Sequence, residues 1–221
     1  MNYLGHLLVL PNEGLTTLGN LLGDFVKGRL EFVEPPEFRA GVALHRDLDR
    51  FTDQHPAVLR SKARIAPNRH RIAGVLVDVF YDHFFSQGID VDSYRPGLLP
   101  YSDQLPQNLR TLPDRLISRG WMGSYNTIEG IAFVLKRMDQ RRKRPLGLDG
   151  AEEDLLAHYD ALASDAADFF PDAQRFAQAR KSSPHPHPQS ASPEALQPAS
   201  AAAIASDLPQ SGGSAPPRKR P

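Results

Sequence analysis

The sequence predicts an all-α fold: one helical domain over residues 1–181 and a disordered Pro/Ser/Ala-rich tail over residues 182–221. Three observations carry this. Between turn residues, the apolar positions of the first 181 residues recur with a helical rather than an alternating period. The tail holds nine of the 20 prolines, eight serines and eight alanines but no Phe, Tyr or Trp. Such a segment cannot bury enough apolar surface to offset its ordering entropy. Finally, 221 residues without an internal repeat fit one domain and exclude a solenoid.

The elements follow in order. A first helix is expected over about residues 15–27, with Thr16 or Thr17 near its start and Gly28 as its stop. A second opens at Pro35 or Pro36, because proline suits a first helical turn, and runs to a break before Pro56. Phe38, Leu44, Leu48 and Phe51 are its apolar stripe. A short helix follows over 57–65, then a longer one from Pro67 to Gly88 with Ile72, Val75, Leu76, Val79 and His83 on its buried face. Residues 89–113 are richer in Pro, Ser and Asp and read as short helices or turns. Weaker helices are expected over 113–119 and 125–142, and a last one over 152–178, kinked or restarted at Pro171.

Composition removes several classes of function. The chain has 26 basic and 26 acidic residues, and the tail's three basic against two acidic residues leave the first 181 at a formal charge of −1. A general nucleic-acid binder would carry a basic excess. With no cysteine, disulfides, thiolate catalysis, iron–sulfur clusters and cysteine zinc sites are excluded, so any metal must use His, Asp, Glu or Asn. The stretch MNYLGHLLVLPNEG has no basic region before its apolar run, which His6 interrupts and Pro11 and Glu13 end, so it reads poorly as a signal peptide. No apolar run approaches the roughly 18 residues of a membrane span. A soluble cytoplasmic protein is the expectation.

The candidate chemistry sits on the helices. His45, Asp49 and Asp53 recur every four residues, within about 80° of one face. Asp78 and Asp82 are also one turn apart, with His83 adjoining. The string GVLVDVFYDHFF holds no other ionisable group except Tyr81, and a buried carboxylate must be paired or bound to metal. Asp24, between Leu22 and Phe25, is a third buried-looking carboxylate. Packed together, these helices would gather an oxygen and imidazole set suited to Mn²⁺ or Mg²⁺, in one or two ions. The structural alternative pairs Asp49 or Asp53 with Arg46 or Arg50, and Asp82 with Arg71 or Lys27. His6 in its apolar stretch reads first as a hydrogen-bonded structural histidine, His55 as a surface or capping residue, His158 as packing, and Asn20 as a bridge between helices or a ligand.

The strings MNYLGHLLVL, GNLLGDFVKG, GVALHRDLDRFTDQHP, DVFYDHFF and LLAHYDAL, in this order over residues 1–180, resemble the acyl carrier protein phosphodiesterase (ACP hydrolase) family, a divergent branch of the HD phosphohydrolases. The resemblance implies a divergent HD-domain helical fold. It also implies a Mn²⁺-dependent hydrolase, with Mg²⁺ the alternative, that removes the 4′-phosphopantetheine group from holo acyl carrier protein, a protein of fatty acid biosynthesis. The sequence departs from ordinary HD enzymes in that no His is followed directly by Asp, the nearest pair being the inverted Asp82–His83. Carried onto this chain, the pattern assigns the metal to Asp24, His45, Asp78 and Asp82, and ligand orientation or proton movement to Asp49 and His83. Lys27 and Arg46 are candidates for phosphate, and His6 and Asn20 are second choices. Two other readings remain open at this level: a metal-dependent phosphohydrolase acting on a nucleotide or other small phosphoester, and a non-catalytic helical binding module.

The partner implied is an acidic helical carrier protein, with no membrane or nucleic acid. The run KRMDQRRKR over residues 136–144 could steer such a partner by complementary potential, or be a solvated helix end.

Overall fold

The computed structural model describes residues 1–118, 121–140 and 143–182, and among them only helices, turns and loops occur. The α-helices are α1 (Tyr3–Val9), α2 (Leu15–Leu22), α3 (Pro36–Gln54), α4 (Pro56–Arg64), α5 (Ala73–Ser86), α6 (Arg95–Leu98), α7 (Leu112–Leu116), α8 (Ile128–Gln140), α9 (Glu152–Ala157) and α10 (Tyr159–Ser182). Short 3₁₀ turns join them. No helix among the described residues is long and apolar enough to cross a membrane. Residues 183–221, and Arg119 and Arg142 at the ends of two expected helices, lie outside the described residues.

One apolar core runs through the fold. Leu4 and Leu7 of α1, Leu18 and Leu21 of α2, Phe38, Val42 and Leu48 of α3, and Leu76, Val77 and Phe80 of α5 are fully buried, as are Leu162, Phe169 and Ala173 of α10. Burial on this scale, at about 25 cal/mol per Å² of apolar surface, is what holds helices that would be marginal alone. The tightest crossing is α2 on α3. A Cβ on Gly19 would lie 2.2 Å from the Phe38 carbonyl oxygen, and one on Gly41 would lie 2.1 Å from that of Thr16. The two backbones therefore touch, and any side chain at either position would force them apart.

Polar bonds lock the outer helices to this core. Asp165 of α10 accepts from Arg60 Nε at 2.8 Å and Ser61 Oγ at 3.0 Å and pairs with Arg64, all on α4, while Tyr81 Oη lies 2.9 Å from Ser61 Oγ. His55 caps α4 by accepting from the Ala57 amide, so its other nitrogen carries the proton that faces Asp172 at 3.1 Å.

Several boundaries differ from those the sequence suggests. The first expected helix ends at Leu22 and passes into a 3₁₀ turn at Gly23–Phe25. Gly23 faces the His45 ring there. The helix expected from Pro67 begins with the 3₁₀ turn Pro67–Ile72 before α5. The last expected helix is broken at His158 into α9 and α10, whereas α10 runs through Pro171 without interruption. Helix α1 had no counterpart in the sequence reading. All seven of its residues are buried, so it shows no amphipathic period.

What holds α1 in place is Asp82 on α5. Its two carboxylate oxygens accept from the Leu4 and Gly5 amides, each at 2.8 Å, where a helix leaves its first N–H groups unpaired. Burial pushes the Asp82 carboxyl up to about 7, against the lowering effect of those two amides and the Met1 ammonium. Because this pKa is raised above the unfolded value, the group's contribution to stability is full below about pH 3.8 and is lost as pH rises through about 7. We expect the melting temperature of Asp82→Asn to depend less on pH than that of the parent between about pH 4 and pH 7. A parallel dependence in the two proteins would contradict this placement of Asp82.

Candidate active site

The site is built one helical turn beyond the α2–α3 contact. Gly19 and Gly41 meet, and four residues further along each helix Gly23 faces His45. A Cβ on Gly23 would lie 2.2 Å from His45 Cγ, so the ring occupies the space that glycine leaves open. His45 Nε2 is 3.2 Å from Asp49 Oδ2 and 3.4 Å from Asp24 Oδ1. From α1, His6 stacks on His45 with ring centroids 4.0 Å apart, and its Nε2 is 3.2 Å from Asp49 Oδ1. Ligand atoms of His6, His45 and Asp49 all lie within 4.8 Å of one another, and both imidazoles are buried.

Asn20 orients both rings. Its side-chain oxygen faces His6 Nδ1 at 3.0 Å and its backbone oxygen faces His45 Nδ1 at 2.8 Å. The Asn20 amide nitrogen donates to the His6 carbonyl at 2.6 Å, which fixes which end of the amide is oxygen. Both oxygens can only accept, so each ring carries its proton on Nδ1 and turns Nε2 toward the carboxylates.

The charges are unequally shared. Burial, followed by the neighbouring His45, lowers His6 to about 4, so His6 is a neutral imidazole with a lone pair on Nε2. Burial also opposes charge on His45, but hydrogen bonds to Asp24 and Asp49 more than offset this and raise it to about 9. Burial would push Asp49 up, yet the Met1 ammonium and His45 hold it well below the usual carboxylate range. Asp24 is likewise held low, mainly by His45, in spite of its burial. The α-amino group of Met1 lies 3.2 Å from Asp49 Oδ1 and 3.3 Å from Asp78 Oδ2. Burial would lower that amine, but Asp78 and Asp49 keep it at about 11. Asp78 itself is raised by burial.

Two imidazole nitrogens and the oxygens of Asp49 and Asp24 thus converge in a partly enclosed place, with the His45 proton to be displaced. This donor set is consistent with a divalent metal ion.

The structure brings together some of the sequence candidates and separates others. Asp24, His45 and Asp49 meet, and Asp78 joins through the Met1 amine. Both oxygens of Asp82 are engaged by the α1 amides. His83 lies on another face of α5, with Nδ1 2.8 Å from the Tyr125 carbonyl and Nε2 3.0 Å from Tyr159 Oη. Arg46 donates to the carbonyls of Val26 at 3.2 Å and Gly28 at 3.0 Å, and Lys27 is exposed on the same loop. The ion pairs weighed as alternatives form elsewhere, with Arg50 on Asp47 and Lys62 on Asp53. His6 is the site residue that sequence reasoning ranked too low. Its signal was available, because apart from Tyr3 it is the single ionisable side chain in an otherwise apolar α1.

The model of the family described as acyl carrier protein phosphodiesterase matches residues 1–173. The chain belongs to that family. An acyl carrier protein phosphodiesterase of Yersinia pestis is 31% identical over 189 residues, covering 80% of this chain and 98% of the relative. One from Escherichia coli O6:H1 is 32% identical over 182 residues, covering 77% and 94%. One from Photorhabdus laumondii is 32% identical over 176 residues, covering 73% and 89%. No solved structure matches the chain.

Two substitutions separate the supports of the two imidazoles. In Asn20→Ala, ¹⁵N NMR is expected to show His6 losing its fixed Nδ1–H tautomer while His45 keeps its own through the backbone. In Gly23→Ala the disturbance should fall on His45, with an overpacking cost of about 1–3 kcal/mol. Both should weaken divalent-cation binding about 10–100-fold. Unchanged ring signals in Asn20→Ala would remove Asn20 from this role.

Proposed function

We propose that this protein is an acyl carrier protein phosphodiesterase, which hydrolyses the phosphodiester joining 4′-phosphopantetheine to the serine of holo acyl carrier protein. The observation that carries the reading is the convergence of His6, His45, Asp49 and Asp24 in a chain that belongs to the acyl carrier protein phosphodiesterase family. Those four residues are the proposed ligands, and their nitrogen and oxygen donors without sulfur favour Mn²⁺, then Mg²⁺. A divalent ion supplies a Lewis acid for the phosphoryl oxygen and lowers the pKa of a bound water.

The remaining residues take distinct tasks. Asn20 and Gly23 orient the imidazoles, and Asp82 holds α1 so that His6 meets His45. Lys27 is exposed beside the site and is the cation assigned to the phosphate, because the Arg46 guanidinium is already committed to two carbonyls. Asp78 is assigned the proton for the departing serine oxygen. Burial raises its pKa while Asp24 and Asp49 are held ionised, which is the separation of acid and base that such chemistry needs.

Mass spectrometry of holo acyl carrier protein incubated with this protein and Mn²⁺ tests the reading. Loss of one phosphopantetheine arm, stopped by a chelator, is expected. An unchanged carrier protein beside a turned-over nucleotide or aryl phosphodiester would favour a small-substrate phosphohydrolase, and no turnover with no bound metal would favour a binding module. The Asp78 assignment has its own test. Asp78→Asn should lower turnover of the carrier protein about 10²–10⁴-fold, with a much smaller loss on an aryl phosphodiester, whose leaving group needs no proton. Equal losses on both substrates would contradict a proton-donor role.

A further inference from the structure

We propose that the segment of residues 26–32, flanked by Arg50 of α3, is the surface on which an acidic carrier protein docks, with Phe32 as its apolar anchor. This inference rests on the phosphodiesterase reading above. In that reaction the bond broken is joined directly to a serine oxygen of a folded protein, so the partner's body must press against whatever borders the metal-binding residues. The segment that leaves the site at Asp24 and returns at the start of α3 is that border. The Arg46 guanidinium pins it to α3 beside His45, through the Val26 and Gly28 carbonyls.

The segment presents an unusual face. Phe32 is 76% exposed, the most exposed large apolar side chain among the described residues. Its neighbour Val33 is buried and Leu30 is half-buried, so the 3₁₀ turn Leu30–Phe32 is anchored from beneath while its aromatic ring stands in solvent. Exposed cations lie on the same segment and further along α3. The Arg29 side chain is 77% exposed and that of Arg50 is 70% exposed, and Lys27 is also exposed. Arg29 lies 3.1 Å from Glu31, an exposed pair of the kind worth less than about 1 kcal/mol, whereas Arg50 pairs with the buried Asp47. Arg29 can exchange its partner for a carboxylate of the carrier protein. An exposed aromatic on a segment that also presents arginine and lysine matches the composition of interface hot spots and the charge of an acidic partner.

The basic run over residues 136–144 is placed differently. Lys136 and Arg137 stand on α8, which packs mainly on the 3₁₀ turn Met122–Asn126 and to a lesser extent on α9 and α5, elements that carry none of His6, His45, Asp24 and Asp49. Arg137 lies over the Phe133 ring at 5.4 Å, and Arg141 and Arg142 lie outside the described residues.

Steady-state kinetics of the full chain with Mn²⁺ test the proposal, on holo acyl carrier protein and on an aryl phosphodiester that has no protein attached. Phe32→Ala and Arg29→Glu should each raise KM for the carrier protein about tenfold or more, with kcat and aryl diester turnover within about twofold of the parent. Lys136→Glu should change neither. A carrier-protein KM unmoved by Phe32→Ala and Arg29→Glu, or raised only by Lys136→Glu, would overturn the assignment. Calorimetric titration with apo acyl carrier protein reads the same surface without turnover, and so separates its failure from that of the phosphodiesterase reading. Binding weakened by both substitutions supports the surface even if no arm is released, and absence of binding to the parent protein contradicts it.

Discussion

The contact on which the site depends is that of two backbones, at Gly19 and Gly41. Because neither residue has a side chain, α2 and α3 come close enough that one turn later the His45 ring lies against Gly23, and Asn20 reaches both imidazoles. The geometry is unforgiving in a useful way. A ring pressed against a backbone has little freedom, and an imidazole whose Nδ1–H is already bonded has only Nε2 left to offer. The cost of bringing His6, His45, Asp49 and Asp24 together is met by burial of α1, α2 and α3 against α5 and α10, not by attraction among the four groups.

Electrostatics completes the arrangement. Two stacked imidazoles cannot both be charged, and the structure resolves the conflict by lowering His6 to about 4 and raising His45 to about 9. Asp49 lies between them and also faces the Met1 ammonium, so it stays ionised despite burial. The result is a small region in which two ionised carboxylates face His45 and the Met1 ammonium while His6 stays neutral. Asp78 and Asp82, on the facing helix, are pushed the other way because burial outweighs their partners. Environment thus moves the carboxylates of one chain in opposite directions, Asp24 and Asp49 down and Asp78 and Asp82 up.

Much of this could be read from the sequence, for reasons that differ by residue. The helical period exposed α3, α4 and α8 to within a few residues, because each has one buried and one wet face, while α5, which has no exposed residue, stood out by its long apolar run. Helix α1 was hidden because it is buried all round, and the break at His158 because helix-forming residues continue on both sides of it. Within the site, the spacing of His45 and Asp49 announced their shared face, and Asp24 stood out in an apolar setting. Spacing also drew attention to Asp82 and His83, whose bonds to the α1 amides and to Tyr125 and Tyr159 depend on tertiary neighbours that no local pattern contains. The same limit applies to His6, whose value comes from stacking on a residue 39 positions away.

The central claim is that His6 from α1 and His45 from α3 hold one divalent cation with Asp49 and Asp24. Mn²⁺ titration followed by electron paramagnetic resonance measures this directly, since bound and free ions are distinguished without any substrate. About one tightly bound ion is expected in the parent protein and in His83→Ala, with binding lost in His6→Ala and His45→Ala while circular dichroism shows the helices retained. Undiminished binding in His6→Ala, or loss in His83→Ala alone, would contradict the account.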